Sequence, residues 1–207
     1  MDIKNPNDKF FYDYLIKMLS IAKIGLTFSY DAYAIEDYKK VQELSESALE
    51  HFMDLKLDRP NFFERNIYPT PNVSVRVVIL NETRDEILLV QEKKDMGYSI
   101  PGGWADLYDS PKQAAIREVK EEAGVDVEIV KFAGIINCLP LKDNVFIPEY
   151  ALIFEGRVIK DNHTHDHEIA NVGFFKLDNL PTLSHKMTKE NFNKAIDAII
   201  NNKIIIE

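Results

Sequence analysis

The chain has 207 residues, 45% of them hydrophobic and 29% charged, enough apolar material for one large domain or one domain with a small appendage. A formal net charge of -9 and a pI near 5.1 disfavour nonspecific attachment to nucleic-acid phosphates, while leaving open phosphate binding through a divalent cation. A single cysteine, Cys138, excludes an intrachain disulfide framework and reads as a buried small hydrophobe.

From Met1 to Lys9 polar and charged residues stand where a secretion signal needs its apolar core, and no stretch approaches the roughly 20 apolar residues of a membrane span. A soluble cytoplasmic protein is the expectation. Phe11, Tyr14, Leu15, Met18 and Ala22 recur at helical spacing, as do Tyr38, Val41, Ser45, Ala48 and Phe52. Gly25 and the run Ser29-Tyr30-Asp31 supply the break between the two helices. Without a sustained heptad, this pattern predicts a helical hairpin that packs on the main domain or on a second copy of the chain, so a homodimer is expected. Pro60, and then Pro69 and Pro71, mark a change of composition, which sets the boundary between a hairpin of residues 1–68 and a domain of residues 69–207.

Strand-like segments follow. Val73 to Leu80 and Glu86 to Gln91 flank a polar stretch and predict a β-hairpin. Tyr98 to Pro101, Val127 to Cys138, Tyr150 to Ile159 and Val172 to Leu177 are further strands, with helices over Pro111 to Ala123 and Thr188 to Asn201. The order is mixed α/β, with most helices outside a central sheet.

The helix over Pro111 to Ala123 carries the chemistry. Ser110 is its N-cap, Pro111 fits the first helical position, Gln113 completes a capping box, and Gly124 supplies the left-handed stop. Ala114, Ala115, Val119 and Ala123 then face the sheet, while Glu118, Glu121 and Glu122, spaced i, i+3 and i+4, share another face. Like charges on adjacent turns cost a few tenths of a kcal/mol per pair. A hard divalent cation, Mg²⁺ or Mn²⁺, offsets that cost and bridges carboxylates to substrate phosphates. Arg117 neutralises part of the charge or orients a carboxylate.

Gly103 and the run Arg117 to Val125 resemble the signature of the Nudix hydrolases: a glycine, five residues, glutamate, seven residues, then Arg-Glu-hydrophobic-x-Glu-Glu-x-Gly-hydrophobic. Asp109 departs from it, standing where the family usually has glutamate. The resemblance implies an α/β/α sandwich with a mixed sheet. It implies that Glu118, Glu121 and Glu122 hold the metal with the Gly103 carbonyl, that Arg117 supports them, and that a carboxylate serves as general base. Glu121 and Glu122 come first for that role, and Glu168 is a third candidate from another loop.

The likeness extends through Ile24 to Ser29, Thr70 to Arg76, Pro101 to Asp106, Phe174-Phe175 and Leu180 to Ser184, which together resemble the branch of ADP-ribose and CDP-choline pyrophosphatases. A small-molecule nucleotide substrate is therefore expected, with no stable nucleic-acid partner. Cleavage would yield AMP and ribose 5-phosphate, or CMP and phosphocholine. The competing functions are a nucleotide-sensing module that does not cleave, from which one of the three glutamates would be missing, and an RNA-processing hydrolase, which a basic groove would favour.

Four further features have two readings each. Arg76, in an apolar strand, pairs with a carboxylate or touches a substrate phosphate. Trp104, beside the glycines, is structural or stacks on a base. His163, His165 and His167 alternate as metal ligands on a strand would, although their polar surroundings read as a surface turn. Phe174 and Phe175 direct one ring to the core and one to an interface or pocket wall.

Overall fold

The computed structural model describes residues 6–54, 70–106, 109–139, 148–162 and 164–207. They fall into two compact units, the first ending at Pro71 and the second beginning at Asn72.

In the first unit, α1 (Pro6–Phe28) and α2 (Ala32–Met53) pack against each other. Asp31 caps α2 by accepting a hydrogen bond from the Ala34 amide at 2.7 Å, satisfying one of the amides that a helix start leaves without a partner. Only residues 29–31 form the break; Gly25, expected to contribute to it, lies inside α1. A Cβ at Gly25 would come within 2.3 Å of the Tyr38 ring, so the glycine's role is close packing between the helices. The buried stripe runs through Tyr12, Leu15, Leu19 and Ala22 on α1 and through Ser45, Leu49 and Met53 on α2. This stripe is rotated from the expected one, leaving Phe11 and Tyr14 exposed, although Phe11 still packs edge-on against Phe52 with ring centroids 5.1 Å apart.

The second unit runs β1 (Asn72–Ile79), β2 (Glu86–Glu92), β3 (Tyr98–Ser99), α3 (Pro111–Ala123), β4 (Val125–Cys138), β5 (Glu149–Asp161), β6 (Ile169–Lys176), α4 (Lys189–Ile200) and β7 (Ile205–Ile206). One sheet has the order β1-β5-β4-β7 and is mixed, with β5 parallel to β1 and antiparallel to β4. The other has the order β3-β2-β6 and is antiparallel. The expected β1–β2 hairpin does not form: the two strands enter different sheets and share only a bridge between Leu80 and Ile87. β1 is buried from Ser74 to Ile79, and a run apolar on both faces belongs inside a covered parallel pairing, which β5 provides.

Strand alternation divides the core between two helices. Val75, Val77 and Ile79 of β1, with Leu88 and Val90 of β2, pack with Ala114, Ala115, Val119 and Ala123 of α3. Val78, Ile87 and Leu89 point the other way, into a cluster with Phe192, Ala195, Ile196 and Ile199 of α4. The result is an α/β/α sandwich, with α3 on one face of the second unit and α4 on the other.

The turn between β2 and β3 fixes a later segment. The Asp95 carboxylate accepts from the Gly97 amide at 3.0 Å, the Ser184 hydroxyl at 2.9 Å and the His185 amide at 2.7 Å. Partial burial opposes ionisation there, but these hydrogen bonds outweigh it and hold the carboxyl below its ordinary 3.8. A depressed folded value contributes stability that is present above the unfolded pKa and is lost as pH falls through the folded one. Asp95→Ala should therefore lower the Tm at pH 7, with the gap from the wild type closing as pH drops below about 4. Thermal melts between pH 7 and 2.5 check this, and a gap independent of pH would contradict it.

Candidate active site

Helix α3 begins and ends by local rules. The Ser110 hydroxyl accepts from the Gln113 amide at 3.3 Å, the Gln113 side chain accepts from the Ser110 amide at 2.9 Å, and Pro111 opens the first turn. Gly124 stops the helix at φ 68°, a conformation that disfavours any residue with a Cβ. Onto that end hangs the chain that follows β5: the Asn162 amide donates to the Gly124 carbonyl at 3.0 Å, and the Asp166 amide to the Glu121 carbonyl at 2.7 Å. Glu168, exposed, lies just beyond this tether, and its carbonyl accepts from the Lys93 amide at 2.9 Å.

Residues 101–105 run alongside β1 and bring backbone onto the carboxylates. The Val77 amide donates to the Pro101 carbonyl at 3.0 Å, the Val75 amide to the Gly103 carbonyl at 2.9 Å, and the Ala105 amide to the Val73 carbonyl at 3.0 Å. Gly102 adopts φ 145°, where a Cβ would fall 2.0 Å from the Val75 carbonyl oxygen. Its amide donates to Glu122 Oε2 at 2.8 Å, and its carbonyl accepts from the Arg76 guanidinium. A Cβ on Gly103 would meet Glu118 Oε2 at 2.5 Å, so the second glycine gives that carboxylate its room.

Arg117 ties the acidic face together. Its guanidinium donates to Asp109 Oδ2 at 2.9 Å, Glu118 Oε1 at 2.8 Å, Glu121 Oε2 at 3.1 Å and the Trp104 carbonyl at 3.1 Å, with Asp106 at 3.4 Å. Burial opposes the guanidinium's charge, but the hydrogen bonds to Asp109 and Glu118 outweigh it and hold its pKa well above the ordinary value. The pKa of Glu118 is raised, first by burial and further by the charge of Glu122, despite the lowering effect of Arg117.

Lys186 and Glu92 were not legible in the sequence. The Lys186 ammonium donates to Glu122 Oε1 at 2.5 Å and to Glu92 Oε1 at 2.9 Å. Lys186 stands 64 residues from Glu122 in the chain, and no local pattern relates the two.

The other candidates are distributed unevenly. Arg76 is buried, donating to the Gly102 carbonyl and facing Glu149 at 3.9 Å, an environment of carboxylate and backbone rather than of solvent. Trp104 is 45% exposed and bridges to Ser74. His163 lies outside the described residues. His165 and His167 are exposed and follow the end of β5 at Asp161, so they share no strand, and His167 contacts Asp166. Cys138 is half-buried rather than buried, accepts from the Asn191 amide group at 3.4 Å, and has its thiol pushed up to about 11 by burial and by Glu149. Phe175 packs on the core and edge-on against Tyr98, whereas Phe174 is exposed.

The donors suit a hard divalent cation: three carboxylates, a carbonyl oxygen with a second lone pair, and a glycine cradle against Glu118. Among the described residues, no three acidic, histidine or cysteine side chains are gathered closely enough to hold an ion. The glutamates instead lean on Arg117 and Lys186, which supply positive charge in their midst.

Residues 70–196 match the NUDIX domain. The chain is 31% identical over 173 residues, 82% of its length and 82% of the relative's, to YjhB of Bacillus subtilis (strain 168), a protein named provisionally as an ADP-ribose pyrophosphatase. It is 28% identical over 119 residues, 56% of this chain and 41% of the relative, to the NAD-capped RNA hydrolase NudC of Pseudomonas aeruginosa (strain LESB58). Among solved structures, an ADP-ribose pyrophosphatase from Streptococcus suis 89-1591 aligns with TM-score 0.54 and 32% identity over 66% of this chain and 98% of that one. A UDP-X diphosphatase aligns with TM-score 0.60 and 24% identity over 96% of this chain and 98% of its own, a likeness of fold.

The chain belongs to the Nudix hydrolase family, with the two-helix unit at its N-terminal side. It is a pyrophosphohydrolase, of a family whose members act on small-molecule nucleotides and generally use divalent metals such as Mg²⁺ or Mn²⁺. No helix among the described residues is long and apolar enough to cross a membrane.

Arg117→Met should destabilise the metal-free protein by about 2 kcal/mol, because Asp106, Asp109, Glu118 and Glu121 lose a shared, partly buried partner. Chemical denaturation in chelator measures the loss, and unchanged stability would show that the carboxylates do not need the guanidinium.

Proposed function

We propose that the protein hydrolyses the diphosphate bond of a nucleoside diphosphate derivative, with ADP-ribose ahead of CDP-choline, using Mg²⁺ or Mn²⁺. The observation that carries this reading is the approach of the Gly102-Gly103 backbone to Glu118 and Glu122 on a capped helix, with Arg117 tying Glu118 to Glu121. The substrate order rests on YjhB and the Streptococcus suis protein, both named for ADP-ribose.

Glu118, Glu121, Glu122 and the Gly103 carbonyl would hold the metal. When bound, the cation supplies Lewis acidity, polarising a phosphoryl oxygen and acidifying water. Glu121 takes the proton of the attacking water; its side chain is 50% exposed with one oxygen on Arg117, whereas both oxygens of Glu122 are engaged. Water adds to one phosphorus, the bridging P–O bond breaks, and the bridging oxygen leaves with the other phosphate, giving AMP and ribose 5-phosphate from ADP-ribose. Glu168, exposed beside the tether to α3, is the alternative base. Arg117 orients Glu118 and Glu121. Trp104, partly exposed beside the glycines, offers a ring face to the base. Arg76, expected to touch substrate, instead positions the Gly102 carbonyl beside the site, its burial favouring that role over direct phosphate contact. Residues 1–68 serve, in this reading, as the dimerisation element of a cytoplasmic homodimer.

Turnover should be measured on ADP-ribose, CDP-choline, sugar nucleotides and an NAD-capped RNA, each with Mg²⁺, Mn²⁺ or chelator. The expected result is AMP from ADP-ribose at the highest kcat/KM, with activity abolished by chelator. Preference for CDP-choline or capped RNA would overturn the substrate, and binding without turnover would favour a nucleotide sensor.

A further inference from the structure

Lys186 has no part in the reaction described above, yet it makes the closest contact to one of its glutamates. Its ammonium sits 2.5 Å from Glu122 Oε1 and 2.9 Å from Glu92 Oε1, and Glu92 also accepts from the Ser99 hydroxyl at 2.7 Å. Both carboxylates are only 13% exposed and the lysine side chain 25% exposed, so solvent screens this trio weakly.

The lysine is delivered there by a braced segment. Its own amide donates to the Ser184 hydroxyl at 3.1 Å, and that hydroxyl donates to Asp95. The Tyr98 amide donates to the Thr182 carbonyl at 2.9 Å, and the Ser184 amide to the Tyr98 carbonyl at 2.8 Å. On the other side Met187 is buried in the core and Thr188 caps α4, accepting from the Asn191 amide at 3.1 Å. The backbone at Lys186 is therefore fixed, and only rotation about the bonds of its four-carbon stem is needed to withdraw the ammonium.

Glu122 has both oxygens in use, Oε2 by the Gly102 amide and Oε1 by Lys186. The Gly102 amide belongs to backbone locked against β1, so it is the lysine that is exchangeable. Arg117 differs, because its planar fork is held by several acceptors at once.

We propose that Lys186 is the stand-in cation of the metal-free site, a positioning residue that holds Glu122 against Glu92 until a divalent ion takes Glu122 Oε1 from it. This rests on the metal-dependent reading above. Mn²⁺ affinity is then set partly by competition with the lysine, and metal binding releases the ammonium.

The test is Mn²⁺ binding, followed by electron paramagnetic resonance of free Mn²⁺, for the full-length wild type, Lys186→Met and the double variant Lys186→Met/Glu92→Gln. The single variant removes the competitor and leaves an extra local negative charge. The double variant removes one charge of each sign, so it keeps the local charge and isolates the competition. Both variants should bind Mn²⁺ roughly tenfold tighter than the wild type, the scale of a charge-assisted hydrogen bond given up. Wild-type or weaker affinity in the double variant, with a cooperative melt showing that it is folded, would overturn the proposal even if the single variant tightens. No Mn²⁺ binding by any of the three proteins would instead overturn the metal-dependent reading, and this inference with it.

Discussion

Glu118, Glu121 and Glu122 repel one another across one turn of α3, and much of the surrounding site serves to hold them there. Arg117 takes an oxygen from Glu118 and one from Glu121, Lys186 takes one from Glu122, and the Gly102 amide takes the other. Glu118 still carries a raised pKa, chiefly from burial and with Glu122 adding to it, so the built-in cations do not remove the cost of the charge. A helix face of this kind remains receptive to a further positive charge, which is the property a metal-dependent phosphoryl chemistry requires.

The scaffold makes that arrangement rigid from two sides. Ala114, Ala115, Val119 and Ala123 lock one face of α3 onto the sheet, and the capping box and Gly124 fix its ends. Opposite, residues 101–105 are laced to β1 by amide hydrogen bonds, which brings two glycines into contact with two glutamates. Arg76, buried under this segment with Glu149 nearby, braces the Gly102 carbonyl. Strand, glycine turn and helix thus form one mechanical unit: a side chain on Gly102 would meet the β1 backbone, and one on Gly103 would push the Glu118 carboxylate aside.

What the sequence disclosed follows from how far each interaction reaches along the chain. The bounds of α3, its caps and the shared glutamate face depend on residues within four positions of one another, and the structure has them as read. The buried stripe of α1 is rotated from the expected one, and Gly25 lies inside the helix and not at the break, because the Tyr38 ring that requires a glycine belongs to another helix. The β1–β2 hairpin looked local but was not, since β1 answers to β5, more than seventy residues away. Lys186 and Glu92 escaped for the same reason: a lysine beside the start of α4 and a glutamate at the end of β2 acquire meaning only when the fold brings them to Glu122. Asp109, although shorter than the usual glutamate, reaches Arg117 at 2.9 Å.

The most direct measurement is a crystal of the protein soaked in Mn²⁺, with anomalous scattering recorded at the manganese edge. A peak is expected among Glu118, Glu121, Glu122 and the Gly103 carbonyl, with Arg117 still on Glu118. A map without a peak there at saturating Mn²⁺, in a crystal whose molecules turn over substrate, would contradict it.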